Sequence, residues 1–167
     1  MERKAPERIT LTKIKYAAFA SQETSCYEAI INLDGKPIAT TRNDGHGGCD
    51  EVHPLTGCAD RLAEAVAYCK TLPRWGVSEE DPEGYETDLE SVCGAILDEY
   101  LTLRDMRRIL KTKVLAVKPD RKLYEFGGKK WPVSTVLPVI AKKYPEAIIL
   151  NSLTEPEALK LFKEGAA

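Results

Sequence analysis

Apolar and polar positions change period several times along the chain, and each period predicts an element. From Ile9 to Phe19 they alternate loosely (Ile9, Leu11, Ile14, Tyr16), as a half-buried strand does. Residues 25–33 alternate again, with Cys26, Glu28, Ile30 and Asn32 on one face and Tyr27, Ala29, Ile31 and Leu33 on the other. Asp34-Gly35 follows, the strongest short signal for a tight hairpin turn. The chain then returns as a strand from Pro37 to Asn43, with proline at the first strand position, where it is tolerated. A β-hairpin over 25–43 is therefore predicted. Its exit, Asn43-Asp44-Gly45-His46-Gly47-Gly48-Cys49, is dense in glycine and reads as a loop.

The period then lengthens. Ala59, Leu62, Ala63, Val66, Cys69 and Leu72 fall on one stripe of a helix over 57–72, which Leu72-Pro73 ends. Residues 73–86 carry prolines, glycines and acids with two aromatics, Trp75 and Tyr85, and read as a surface loop. A long helix is predicted over 88–111, with Thr87 as its cap and Glu90 reaching back to complete a capping box. Two strands, Lys113 to Val117 and Leu123 to Phe126, flank a Pro119-Asp120 turn. A third helix should start after Thr135, with Pro138 in its first turn, and Ala147 to Leu150 should be a short buried strand. The last helix carries a second capping box, Thr154 to Glu157, and Gly165 as its expected stop. The fold class is therefore α+β, a single domain over 9–167 with an antiparallel sheet, an N-terminal β-hairpin and about four helices. Residues 1–8 are expected to fray.

Composition narrows the function classes. Apolar residues make up 43% and charged residues 30%, ordinary for a globular domain. The 24 basic and 26 acidic side chains leave a net charge of −2, which argues against a nucleic-acid binder. The basic runs Arg104–Lys113 and Lys118–Lys130 are broken by acids and apolar residues. Met1 to Arg8 has no apolar core of a secretory signal, and no long apolar run suggests a membrane span. Five cysteines in no paired spacing read as free thiols in a reducing, cytoplasmic compartment.

Candidate chemistry gathers around the glycine loop. Gly45-His46-Gly47-Gly48 is not a phosphate-binding loop, since it lacks both the Walker lysine and the G-x-G-x-x-G spacing of a βαβ unit. His46, Cys49, His53 and Cys58 are all zinc-competent, but no C-x-x-C knuckle is present and no metal or cofactor is expected. Cys49 lies three residues from His46, a conceivable nucleophile and base. Glu23, Glu28 and Asp44 could pair as carboxylates if the early strands are neighbours. No set is complete, so the expectation leans away from an enzyme. A hairpin brings its open ends together, and this predicts one polar cluster of Ser21, Glu23, Thr24, Asn43, Asp44, Gly45, His46, Gly47 and Gly48 as the binding site.

The same residues carry a resemblance. Ser21-Gln22-Glu23-Thr24-Ser25-Cys26-Tyr27-Glu28-Ala29, then Asp34-Gly35-Lys36, then Asn43-Asp44-Gly45-His46-Gly47-Gly48 resemble an uncharacterised family of small tailed-bacteriophage and prophage proteins. The family pattern runs S-x-E-T-x-C-F-x-A, D/N-G-K and N-x-G-x-G-G, and Tyr27 stands where it more often has phenylalanine. The likeness covers residues 13–48 well and 110–125 loosely. It implies a mobile-element origin and a protein that binds a host protein in the bacterial cytoplasm, with inhibition of an anti-phage defence protein as the expected role. Two alternatives stay open: a small enzyme acting on a nucleotide or a peptide-like bond at the Glu23/Asn43–Gly48 cluster, and a virion or tail-assembly component. The acidic loop Glu79–Glu86 is a second possible interface. The oligomeric state is not legible in the sequence.

Overall fold

The structure, a computed structural model, describes residues 8–166. It is an α+β fold whose strands form two antiparallel sheets where the sequence predicts one. The chain divides into two compact units, residues 1–98 and 99–167. No helix among the described residues is long and apolar enough to cross a membrane.

The first unit is built on the sheet β1-β2-β3-β4, with β1 at Ile9–Tyr16, β2 at Tyr27–Leu33, β3 at Lys36–Asn43 and β4 at Glu51–Pro54. The predicted hairpin is β2–β3, turned at Asp34-Gly35, which both take positive φ (+53° and +75°) as this turn demands. Leu33 pairs with Lys36 and Tyr27 with Asn43, so the hairpin's open end lies at Tyr27 and Asn43. The alternation read from β2 holds, with Tyr27, Ala29, Ile31 and Leu33 all buried. Asn32 on the other face is buried too, because its amide donates to Thr10 O and to Thr12 Oγ1 on β1. A fully buried aliphatic side chain stabilises by about 1.5–3 kcal/mol, so Ile9, Ile31, Leu33 and Ile38 are the main core anchors of the sheet. Helix α1, Ala59–Lys70, adds Ala65 and Cys69 to this core.

Four local expectations are corrected here. Arg8 does not fray: its guanidinium holds Asp34 and Glu64, and its carbonyl accepts the Asp34 N–H. The stretch Met1 to Glu7 lies outside the described residues. β1 stops at Tyr16, and Ala18–Ala20 forms a 3-10 turn. β4 falls where only a loop was read. The long helix α2, Leu89–Leu110, is capped one residue later than expected: Asp88 Oδ1 accepts the Ser91 N–H (2.7 Å) and Ser91 Oγ accepts the Asp88 N–H (3.2 Å). Thr87 instead donates to Pro73 O, and Glu90 accepts the Asp50 N–H.

The second unit holds the sheet β6-β5-β7, with β5 at Lys113–Val117, β6 at Leu123–Gly127 and β7 at Ile148–Ile149. Helix α3 is Val133–Lys143 and helix α4 Glu155–Ala166. Met106, Leu115, Val117, Leu150 and Ala158 form its buried core, flanked by Leu103, Leu123 and Phe162. Asn151 clamps it, accepting from Leu115 N and donating to Leu110 O and Lys113 O. Of the capping box at Thr154 the returning half forms, with Glu157 Oε2 accepting both the Thr154 N–H and its hydroxyl. α3 begins at Val133 with Pro132 as its cap, so Pro138 lies inside the helix and not in its first turn. Gly165 does not stop α4, which continues to Ala166. A Cβ on Gly165 would stand 2.7 Å from Leu123 Cβ, so this glycine lets the helix lie close against β6.

Candidate functional site

The open end of the β2–β3 hairpin gathers the predicted cluster. β2 delivers residues 21–26 to one side and β3 delivers Asn43 and the glycine loop to the other. Thr24 Oγ1 donates to Asn43 Oδ1 at 2.6 Å, and the same amide oxygen accepts the Gly45 N–H at 2.9 Å. Asn43 Nδ2 donates to Gly48 O (3.2 Å) and to Asp50 Oδ1 (3.1 Å). The Gly47 N–H reaches back to Thr24 Oγ1 at 3.3 Å. Three successive N–H groups, of Gln22, Glu23 and Thr24, converge on Gly45 O at 2.9, 3.0 and 3.4 Å. Both strand exits are thus bonded into one body.

Glycine is required at two of these positions for different reasons. Gly45 takes φ +87°, and a Cβ there would lie 2.1 Å from Ala20 O and 2.8 Å from Cys26 Cβ. Gly47 takes φ +92°, and its missing side chain leaves room for the Glu23 carboxylate, whose Oε2 is 2.6 Å from where a Cβ would be. The loop is a close approach of backbone to backbone.

Beneath the loop lies a buried polar chain. The Tyr27 hydroxyl donates to the Asp50 carboxylate and lies 3.3 Å from Thr41 Oγ1. Burial, then the Asp50 carboxylate, pushes the phenol far above its ordinary range, so Tyr27 stays a neutral donor. The Asp50 N–H in turn donates to Glu90 Oε1 at 2.9 Å.

The predicted residues therefore separate into two groups. Ser21, Thr24, Asn43 and Gly45 hold the structure: Ser21 Oγ donates to Ala17 O and accepts the Cys26 N–H. Glu23, Asp44, His46 and Gly48 are exposed, while Gly47 is half-buried. Asp44 Oδ1 accepts the His46 N–H at 3.1 Å, and no hydrogen bond or ion pair orients the His46 imidazole among the described residues.

The other candidate sets do not assemble. Among the described residues no three His, Cys, Asp or Glu side chains converge to hold a metal. His53 lies on β4 opposite Thr40 and 3.7 Å from Glu51 Oε2, and Cys58 Sγ lies 4.0 Å from Pro37 O. The exposed Cys49 thiol is pushed up by the Glu90 carboxylate first of all, which works against a nucleophilic thiolate. Glu28 pairs with Lys15 on β1 at 3.1 Å and so does not join Glu23 and Asp44.

One residue beside the cluster was missed. Phe19 stands 93% exposed on the 3-10 turn that leads into Ser21. Ala17 N donates to Cys26 O and Ala20 N to Ala17 O, both at 3.0 Å, so the turn is pinned to the start of β2. The signal was present in the sequence: a lone large apolar residue among small ones in Ala17-Ala18-Phe19-Ala20, next to the polar Gln22-Glu23-Thr24. Compared with protein-family models, curated proteins and solved structures, the chain matches none.

Proposed function

We propose that this protein acts by binding a partner protein through the Phe19 turn and the glycine loop packed against it. One observation carries the reading: a phenylalanine held out to solvent on a turn braced by backbone and side-chain hydrogen bonds. An exposed aromatic on a rigid support gives an interface its anchor without a large ordering cost. Glu23, Asp44 and His46 supply a polar rim beside it, as interfaces commonly have. The likeness of residues 13–48 to small phage proteins supports a host protein as that partner, met in the bacterial cytoplasm. Inhibition of an anti-phage defence protein is the role that follows from such an origin.

The test is capture from bacterial lysate with wild type and Phe19→Ala, quantified by mass spectrometry. The phenylalanine makes little intramolecular contact, so the variant should keep its melting temperature. A host protein retained by wild type should lose about a hundredfold in affinity, the scale of a hot-spot truncation. His46→Ala should cost the same complex only about 1–2 kcal/mol. Binding unchanged in Phe19→Ala would remove this surface from consideration. A nucleotide or peptide turnover that disappears in His46→Ala would replace the binding reading with an enzymatic one.

A further inference from the structure

The second unit contains a cation site unrelated to the Phe19 surface. Lys118, the residue after β5, places its ammonium against three rings. Nζ lies 4.0 Å from the centroid of Tyr124, 4.1 Å from that of Tyr144 and 5.6 Å from that of Phe126. Tyr124 and Phe126 are alternate residues of β6 and stack at 6.4 Å, while Tyr144, just past α3, tilts against Phe126 at 5.7 Å. Tyr124 is oriented by its hydroxyl, which donates to Asp120 Oδ2 at 2.6 Å. The rings and Lys118 are all half-buried, so each keeps some contact with solvent.

Ring faces attract any cation, but they accept no hydrogen bond from N–H groups as water or a carboxylate does. Among the described residues no carboxylate lies within ion-pair distance of Lys118 Nζ. A primary ammonium in this position turns its N–H groups to ring faces that pair with them poorly, with only the longer-range charge of Asp120 added to the rings. A quaternary ammonium has no N–H to leave unpaired, and it suits such a cage better than the lysine that fills it. Lys118 enters because it is tethered, which gives it an effective concentration on the order of millimolar. Lys143 Nζ, 5.4 Å from the Tyr144 centroid, adds a positive neighbour and will weaken any cationic ligand.

We propose that Tyr124, Phe126 and Tyr144 form an aromatic cage for a quaternary ammonium group, which Lys118 occupies as a tethered competitor. Two sources share this chemistry, a trimethylated lysine side chain and choline.

Ring resonances of Tyr124 and Tyr144 should be followed while the full chain is titrated with tetramethylammonium chloride, with ammonium chloride at matched ionic strength as control. Tetramethylammonium alone should shift both rings. In Lys118→Ala the half-saturating concentration should fall about tenfold, since the tethered competitor is gone. Tyr144→Leu should abolish the response. Choline and a trimethyllysine peptide then form separate arms, and tighter binding of either names the source. Equal shifts with the two salts, or none in folded Lys118→Ala and Lys118→Gln, would overturn the proposal. Should both variants fail to fold, the wild-type titration decides: without selective ring shifts there, Lys118 is only a structural pin.

Discussion

Thr24 and Asn43 share a 2.6 Å hydrogen bond across nineteen residues of sequence, and this bond joins the two exits of the β2–β3 hairpin. Asn43 is 8% exposed and uses both ends of its amide, accepting from Thr24 and Gly45 and donating to Gly48 and Asp50. Truncation leaves several of these groups without a partner in a buried place. Asn43→Ala should therefore destabilise by about 2–3 kcal/mol, since each stranded buried polar group costs about 1–3 kcal/mol and relaxation recovers part. His46→Ala, three residues on and exposed, should stay within about 0.5 kcal/mol of wild type. Urea denaturation of both variants checks the contrast, and equal effects would contradict the assignment of Asn43 as the structural residue.

The glycines of the loop should fail in a definite order. Gly48→Ala meets nothing within 4 Å and pays only for its φ of +88°, about 1–2 kcal/mol. Gly47→Ala adds a contact with the Glu23 carboxylate, the far end of a flexible side chain that can swing away. Gly45→Ala drives a methyl into Ala20 O at 2.1 Å, and only a shift of backbone relieves it. Gly45→Ala should be the most damaging of the three by thermal melting, and it should also disturb the Phe19 turn.

Much of this site was legible because a hairpin is local. Asp34-Gly35 and a period of two dictate β2–β3, and topology alone then brings Ser21, Thr24 and Asn43 to one end. What escaped depends on contacts distant in sequence. β4 has no alternation of its own and becomes a strand through pairing with β3, as in Thr41 with Val52. Thr87 and Asp88 can both cap a helix, and the choice is made by Pro73 O, which takes the Thr87 hydroxyl. Gly165 reads as a helix stop until Leu123 is seen beside it. The split into two sheets is likewise invisible in any local window.

The thiols should differ sharply in reactivity. Cys49 is exposed, yet the Glu90 carboxylate raises its pKa, so less thiolate is present at a given pH. Glu90→Gln removes that charge, lowers the pKa and should speed iodoacetamide labelling of Cys49 several-fold at mildly alkaline pH. Burial pushes Cys69 up to about 11 and raises Cys93 further, so both should label only on unfolding. Denatured protein should give five equivalents without reductant, matching five free cysteines. Labelling of Cys49 at an equal rate in Glu90→Gln would show that the carboxylate does not control the thiol.

Acid should loosen the first unit through the ion cluster at the hairpin turn. Arg8 forks onto Asp34 with 2.8 and 2.7 Å contacts and also meets Glu64 at 2.6 Å, while Arg61 bonds Glu64 at 2.7 Å. The Arg8 hydrogen bonds are the first cause holding Asp34 below its ordinary value of 3.8 and Glu64 below 4.5. Both carboxyls therefore bind protons less readily folded than unfolded. Their contribution is complete above those ordinary values and is lost as pH falls through the lower folded ones, because the unfolded chain takes up the protons first. These side chains are part-exposed, so the effect is small, and added salt should shrink it further. Arg8→Met keeps much of the aliphatic stem and deletes the charge. Its urea midpoint should lie slightly below wild type at neutral pH and converge with it as the carboxyls protonate. Parallel curves across the whole acid range would mean that Arg8 holds the turn through its contact with Tyr68, whose ring centroid is 5.1 Å away, and not through these carboxylates.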